Sequence, residues 1–174
     1  MAVRTLLGTP YELILNSSKT VDELWEFLDS NAQTDNILNA GTHGKSDKEK
    51  NPSGLVDGHA YTVIKTIKLS NGVRLVQCRN PWGKDSFKGD WSDQSPLWTP
   101  ELEKEAGFTN NQGDGLIFMS VEDYHKMFRI TWINFDPSKL KRSHFLRLND
   151  DGTGGQKNDK GGVNHTLTIK STAE

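Results

Sequence analysis

Apolar positions along this chain recur with two different periods, and the switch between them marks out its elements. Val21, Leu24, Trp25 and Leu28 fall at i, i+3, i+4 and i+7, which places them on one face of a helix. Thr20 stands just ahead of that face and Glu23 lies three residues on, so a reciprocal cap fixes the helix start. Before it, a turn at Gly8-Thr9-Pro10 leads into Leu13-Ile14-Leu15, read as a short buried strand, and Ile37-Leu38 starts another. Residues 58–69 (GHAYTVIKTIKL) and 73–79 (VRLVQCR) are rich in β-branched and aromatic side chains, and the Asn71-Gly72 between them signals a hairpin. Thr99 and Pro100 then open a short helix that Gly107 stops, and residues 115–119 form a strand. Ser120 caps a helix with Val121, Tyr124, His125 and Phe128 on one face, and 129–135 (RITWINF) closes the pattern as a strand.

Between these elements lie two informative loops. Residues 41–53 carry the charged run KSDKEKNPS, a solvated segment, while 80–98 hold three of the five tryptophans and read as a loop stapled by aromatic rings. Asp136-Pro137 marks a boundary. Past it come an apolar run at His144–Leu148, a Gly-rich stretch at 149–162 without the GK[ST] ending of a phosphate loop, and the alternation Val163, His165, Leu167, Ile169. Two strands cannot bury a core. Residues 1–135 are therefore expected to form one domain, and 136–174 the truncated start of an all-β second one.

Composition agrees with that division. A length of 174 residues holds one ordinary domain and part of another. Counting Gly in place of Tyr lifts the apolar share from 33% only to about 40%, below the roughly 45–50% of ordinary soluble domains, so much of the chain is loop or surface. Lys and Arg number 21 against 23 Asp and Glu, and this near-balance gives no drive toward nucleic acid or anionic membrane. No apolar run approaches the ~18 residues of a membrane span, and MAVRTLLGTP is too short in its apolar part for a signal peptide. The expectation is a cytoplasmic, intracellular protein. The single Cys78 excludes an internal disulfide and argues against a zinc site.

Chemistry enters with His59 and Asn80. Singly, they are an ordinary strand histidine and a turn residue before proline; together they end two strands of one hairpin. An amide oxygen held by one ring nitrogen would fix the tautomer and leave the other nitrogen as a base, half of a Cys-His-Asn arrangement. Register tests the pairing. A two-residue turn at Asn71-Gly72 sets Val63 opposite Asn80, which puts His59 on the same face but four residues away, roughly 13 Å at about 3.3 Å per residue. A wider turn centred near Leu69-Ser70, or a bulge, must remove that offset.

Four motifs occur in order: GLVDGHAY (54–61), RNPWG (79–83), GDWSDQSPLW (89–98) and DGLIFMSVEDYHKMF (114–128). With Leu7-Gly8-Thr9-Pro10 at the start, residues 6–135 resemble the C-terminal half of the calpain protease core, and the tail, with Gly161-Gly162, resembles the opening of the β-sandwich that follows it. The resemblance implies an α+β fold: a papain-like C-terminal subdomain with antiparallel strands in a barrel-like sheet and short peripheral helices, followed by an incomplete all-β segment. It also implies that His59 is the general base, that Asn80 orients it, and that Trp82 shields their hydrogen bond and moves to open or block the cleft in active relatives.

Two expected features are missing. In papain-like enzymes His and Asn follow the nucleophilic Cys by roughly 130–150 residues; here 58 residues precede His59, none of them Cys, and Cys78 reads as a small buried hydrophobe. The family's calcium site is matched by Asp93 and Asp114, whereas Ser86 and Leu116 stand where it has Glu, with Asp85 as a neighbouring substitute for the first. No cofactor is therefore assigned, and calcium would meet a degraded site. The leading reading is a calpain-like cysteine endopeptidase subdomain that supplies base and orienter for hydrolysis of polypeptide substrates. It is silent alone, and its partner is a nucleophile-bearing N-terminal half, upstream or on a separate chain. The alternative is a non-catalytic calpain-like module that binds protein.

Overall fold

Thr20 caps the first helix as the sequence dictates: its Oγ1 accepts from the Glu23 N–H at 3.2 Å, and its own N–H donates to the Glu23 carboxylate at 2.7 Å. The computed structural model describes residues 10–84, 86–136, 138, 156–157 and 163–164. In chain order the elements are β1 (Tyr11–Leu15), α1 (Val21–Ala32), β2 (Ile37–Thr42), β3 (Ala60–Lys68), β4 (Arg74–Arg79), α2 (Pro100–Ala106), β5 (Leu116–Ser120), α3 (Val121–Met127) and β6 (Phe128–Asn134). The six strands form one antiparallel sheet in the order β1-β6-β2-β3-β4-β5. This is an α+β arrangement.

The sheet is open, which corrects the expected barrel-like closure. β1 and β5 are its edges, and among the described residues no ladder joins them. Helices occupy the face that a barrel would turn inward: α1 and α3 pack on it and on each other. Leu24, Leu28, Val121 and Tyr124 from the helices meet Leu38, Tyr61, Val63, Val76, Cys78 and Met119 from the strands in the main core. A buried network ties the turn after β1 to this core. Asn16 donates to the Phe128 carbonyl at 2.9 Å and accepts from Thr131 at 2.8 Å, which leaves the Thr131 oxygen to accept from Tyr124 at 2.8 Å.

The opposite face is covered over half its width. Across β3–β5 the 80–98 loop and α2 bury Leu69, Leu75, Trp91 and Phe118 in a second cluster. Trp98 stacks on Phe108 at 4.2 Å and meets Trp91 and Phe118 edge-on, so the tryptophans at 91 and 98 are the expected staples. β4 is thus buried on both sides, the reason its sequence shows no alternation. Across β1, β6 and β2 the described residues leave Leu13, Leu15 and Ile37 exposed on this face. Of the Leu13-Ile14-Leu15 run expected to be buried only Ile14 is, and Leu13 is 50% exposed, because neighbours on a strand point to opposite faces and the helices pack on the face of Ile14.

The chain separates into two units, 1–141 and 142–174. In the second, Gln156–Lys157 (β7) pairs antiparallel with Val163–Asn164 (β8). The expected apolar run at 144–148 and the alternation beyond 164 lie outside the described residues, as do residues 7–9 and Asp85. Among the described residues no helix is long and apolar enough to cross a membrane.

Candidate functional site

Two one-residue displacements bring His59 and Asn80 together. The β3–β4 loop has three residues, Ser70 to Gly72, closed by the Leu69 N–H to the Val73 carbonyl and the Gly72 N–H to the Leu69 carbonyl, both at 2.8 Å. Gly72 takes the left-handed conformation (φ 88°) that such a loop needs at its last position. Further along, Ile64 is the extra residue of a bulge, so that Lys65 faces Gln77 but Val63 faces Cys78. The turn is wider than two residues, as expected, but is centred on Asn71 and not near Leu69-Ser70; a bulge accompanies it. Continuing this register sets Tyr61 opposite Asn80, so His59 is two residues away instead of four. Diagonal neighbours at that spacing are within side-chain reach.

His59 Nε2 lies 3.1 Å from Asn80 Oδ1. Backbone contacts decide which end of the amide faces the ring: Oδ1 accepts from the Trp82 N–H at 3.0 Å and Nδ2 donates to the Lys84 carbonyl at 3.1 Å. A flipped amide would face donor to donor and acceptor to acceptor. With oxygen toward the ring, Nε2 carries the proton and Nδ1 is the basic nitrogen. Asn80 is 4% exposed, and its own N–H is held by the Gly115 carbonyl at 2.8 Å. Gly115 has φ 74°, and a Cβ there would sit 2.8 Å from the Asn80 carbonyl oxygen.

Aromatic rings flank the pair. Trp82 lies over His59 with centroids 4.2 Å apart and planes tilted by 44°, and it is 52% exposed; Tyr61 meets the imidazole edge-on at 5.2 Å. Thr42, at the end of β2, contacts the His59 backbone: its hydroxyl accepts from the His59 N–H at 3.0 Å. No sequence signal singled out Thr42, nor the Lys84 and Gly115 carbonyls, since their roles come from strands and turns that fold across the hairpin. Cys78 is fully buried in the core, and burial raises its thiol pKa far above the ordinary range, so it packs as a hydrophobe.

Asp93 and Asp114 stand apart from His59, on a small cavity of about 50 Å³ shared with Gln77, Phe108, Leu116 and Phe118. Asp93 is buried with Oδ2 unpartnered, while Asp114 accepts from the Leu116 N–H at 2.8 Å. Calcium takes six to eight oxygens. Besides these two carboxylates the cavity's described side chains offer an amide oxygen from Gln77 and a hydroxyl from Thr109, fewer oxygens than that set, and no three His, Cys, Asp or Glu among the described residues are grouped to hold a metal. Among the described residues the side chains do not complete a calcium shell. His43 is exposed, and His125 Nε2 lies 2.8 Å from the Lys19 carbonyl.

Comparison with known proteins follows the same line. A family model described as calpain family cysteine protease matches residues 1–134. The chain is 36% identical over 111 residues to calpain-type cysteine protease DEK1 of Arabidopsis thaliana, covering 63% of this chain and 5% of that protein. It is 33% identical over 120 residues to Calpain-14 of Homo sapiens, covering 67% and 17% respectively. With Calpain-12 of Mus musculus the identity is 40% over 85 residues, 46% of this chain and 12% of that protein. The chain therefore spans less than a fifth of these relatives' length.

Proposed function

Because the chain belongs to the calpain family of cysteine proteases, we propose that residues 1–135 are the part of a papain-like catalytic core that carries base and orienter, and that the whole protein hydrolyses peptide bonds in polypeptide substrates. The observation that carries this reading is the 3.1 Å His59–Asn80 contact, in an amide orientation that leaves Nδ1 basic. A cysteine outside residues 1–174 is the nucleophile. His59 Nδ1 takes the thiol proton as sulfur attacks the substrate carbonyl, then hands it to the leaving amine as the C–N bond breaks and a thioester forms. Water, deprotonated by the same nitrogen, then releases the acid and regenerates the thiol. Asn80 holds the ring through the cycle, and Trp82 keeps water from their hydrogen bond, which low local dielectric strengthens.

The test is cleavage of an extended fluorogenic peptide by the chain alone and mixed with the nucleophile-bearing half of a calpain core. No cleavage is expected alone, cleavage in the mixture, and loss of it with His59→Ala. Activity of the chain alone that Cys78→Ser abolishes would overturn the proposal. A second reading, a non-catalytic module that binds polypeptide, draws on the exposed apolar side chains of Leu13, Leu15 and Ile37 among the described residues. It requires that His59→Ala leave binding unchanged.

A further inference from the structure

The β2–β3 ladder pairs Gly41 with Ala60, so Thr42 stands directly opposite His59. An ordinary pair at this point would exchange two backbone hydrogen bonds. One is made, the Thr42 N–H to the His59 carbonyl at 3.0 Å. The other is replaced: the His59 N–H goes to the Thr42 side-chain hydroxyl. A register shift between Gly41 and Thr42 on the β6 side of β2 accompanies the substitution. The hydroxyl has one hydrogen to give, and of its two acceptors the Val56 carbonyl at 2.7 Å is nearer than the His59 carbonyl at 3.2 Å. The Val56 N–H in turn donates to the Tyr61 hydroxyl at 3.1 Å. Thr42 is buried, so water cannot easily stand in for the hydroxyl.

We propose that Thr42 is a positioning residue, whose hydroxyl fixes the His59 backbone where Nε2 can reach Asn80, and which ties the base of the charged 43–58 loop to that same point. The inference rests on the reading of His59 as base and Asn80 as orienter. Its leverage is geometric: Nε2 and Oδ1 are 3.1 Å apart, and a backbone shift of about half an ångström would carry them past hydrogen-bonding distance. Removing the hydroxyl leaves a part-buried N–H without this acceptor, and the strand end moves to find one. Because Val56 loses its partner in the same step, movement of the loop and of His59 is coupled.

The experiment reads the His59 tautomer by two-bond proton–nitrogen correlation in the ¹⁵N-labelled 174-residue chain, in Thr42→Val, Thr42→Ser and Asn80→Ala, with circular dichroism as the check on folding. The unsubstituted chain and Thr42→Ser are expected to show the Nε2–H form alone. Thr42→Val, which keeps the shape and loses the hydroxyl, is expected to show both tautomers, as is Asn80→Ala. If Thr42→Val leaves His59 unchanged while Asn80→Ala alters it, the proposal fails and the His–Asn reading stands. If neither alters it, both fail. Loss of the single form in Thr42→Ser as well would mean that the methyl group positions His59, which also overturns the proposal. Should Thr42→Val not fold, Thr42→Ala carries the same comparison against Thr42→Ser.

Discussion

Ile64 and Gly72 bracket the Lys65–Lys68 stretch of the β3–β4 ladder, and each displaces its register by one residue: Ile64 as the extra residue of a bulge, Gly72 as the third residue of the loop. One displacement alone would turn His59 to the face opposite Asn80, since a single-residue slip exchanges the faces of a strand. Together they restore the face and halve the distance. Deleting Ile64 closes the bulge but leaves Lys65 opposite Gln77 and Val63 opposite Cys78, so the folded variant should keep the single Nε2–H tautomer of His59. Removing Ser70 as well leaves Asn71-Gly72 as a two-residue loop with Leu69 still opposite Val73, so the native signal should again be retained. A folded single or double deletion that shows both tautomers would contradict this account of the register.

Two of the left-handed glycines around the site, Gly72 and Gly115, should respond unequally to alanine. At Gly72 a Cβ would meet nothing within 4 Å, so the cost is backbone strain alone, about 1–2 kcal/mol. At Gly115 the same strain adds to a Cβ 2.8 Å from the Asn80 carbonyl oxygen and close to the Gly83 backbone. Urea denaturation should give a larger loss for Gly115→Ala, and only that variant should disturb the His59 nitrogen signals.

Burial first, and then the charge of Asp114, raises the Asp93 carboxyl above the ordinary carboxylate range. The folded state thus holds this proton more tightly than the unfolded one. The resulting stability is complete below the unfolded pKa and is lost as pH rises through the raised folded pKa. Asp93→Asn should accordingly raise the unfolding temperature at neutral pH, with the gain shrinking as pH falls toward the ordinary carboxylate range. Millimolar calcium should leave the parent unfolding temperature unchanged; a calcium-dependent rise that Asp93→Asn removes would show that the cavity holds the ion.

Leu24 and Leu13 both sit in apolar runs, yet they should differ in their worth to the fold. Leu24 is fully buried between α1 and the sheet, and Leu24→Ala should cost about 2–5 kcal/mol. Leu13 is half exposed on β1, and Leu13→Ala should fall within about 0.5 kcal/mol of the parent. Chemical denaturation of the two variants side by side checks the contrast.

Helix starts and stops were legible because caps are local. Thr20 with Glu23, Thr99 with Pro100 and Gly107, and Ser120 each act within three or four residues, so the sequence carries all the parts. The His59–Asn80 pair was legible as a pair, through motifs that set one before β3 and the other after β4. Closure of the sheet was not legible, because it depends on whether helices or strands fill one face. Nor was the burial of Leu13, because alternation tells that a strand has two faces without telling which is covered.

By itself, then, the sequence determined the elements, their caps, the hairpin and the residue types of the site, all set by interactions spanning a few positions. Only the tertiary structure decided the register that makes those residues meet. The bulge at Ile64 falls in the β3–β4 ladder just past the last β2–β3 pair at Leu38 and Val63, and the amide of Asn80 is oriented by carbonyl and N–H groups that a turn brings round. The same holds for the hydroxyl of Thr42, which reaches His59 only because strands 17 residues apart in the chain lie side by side. Such contacts are chosen by the whole fold, and no local pattern records them.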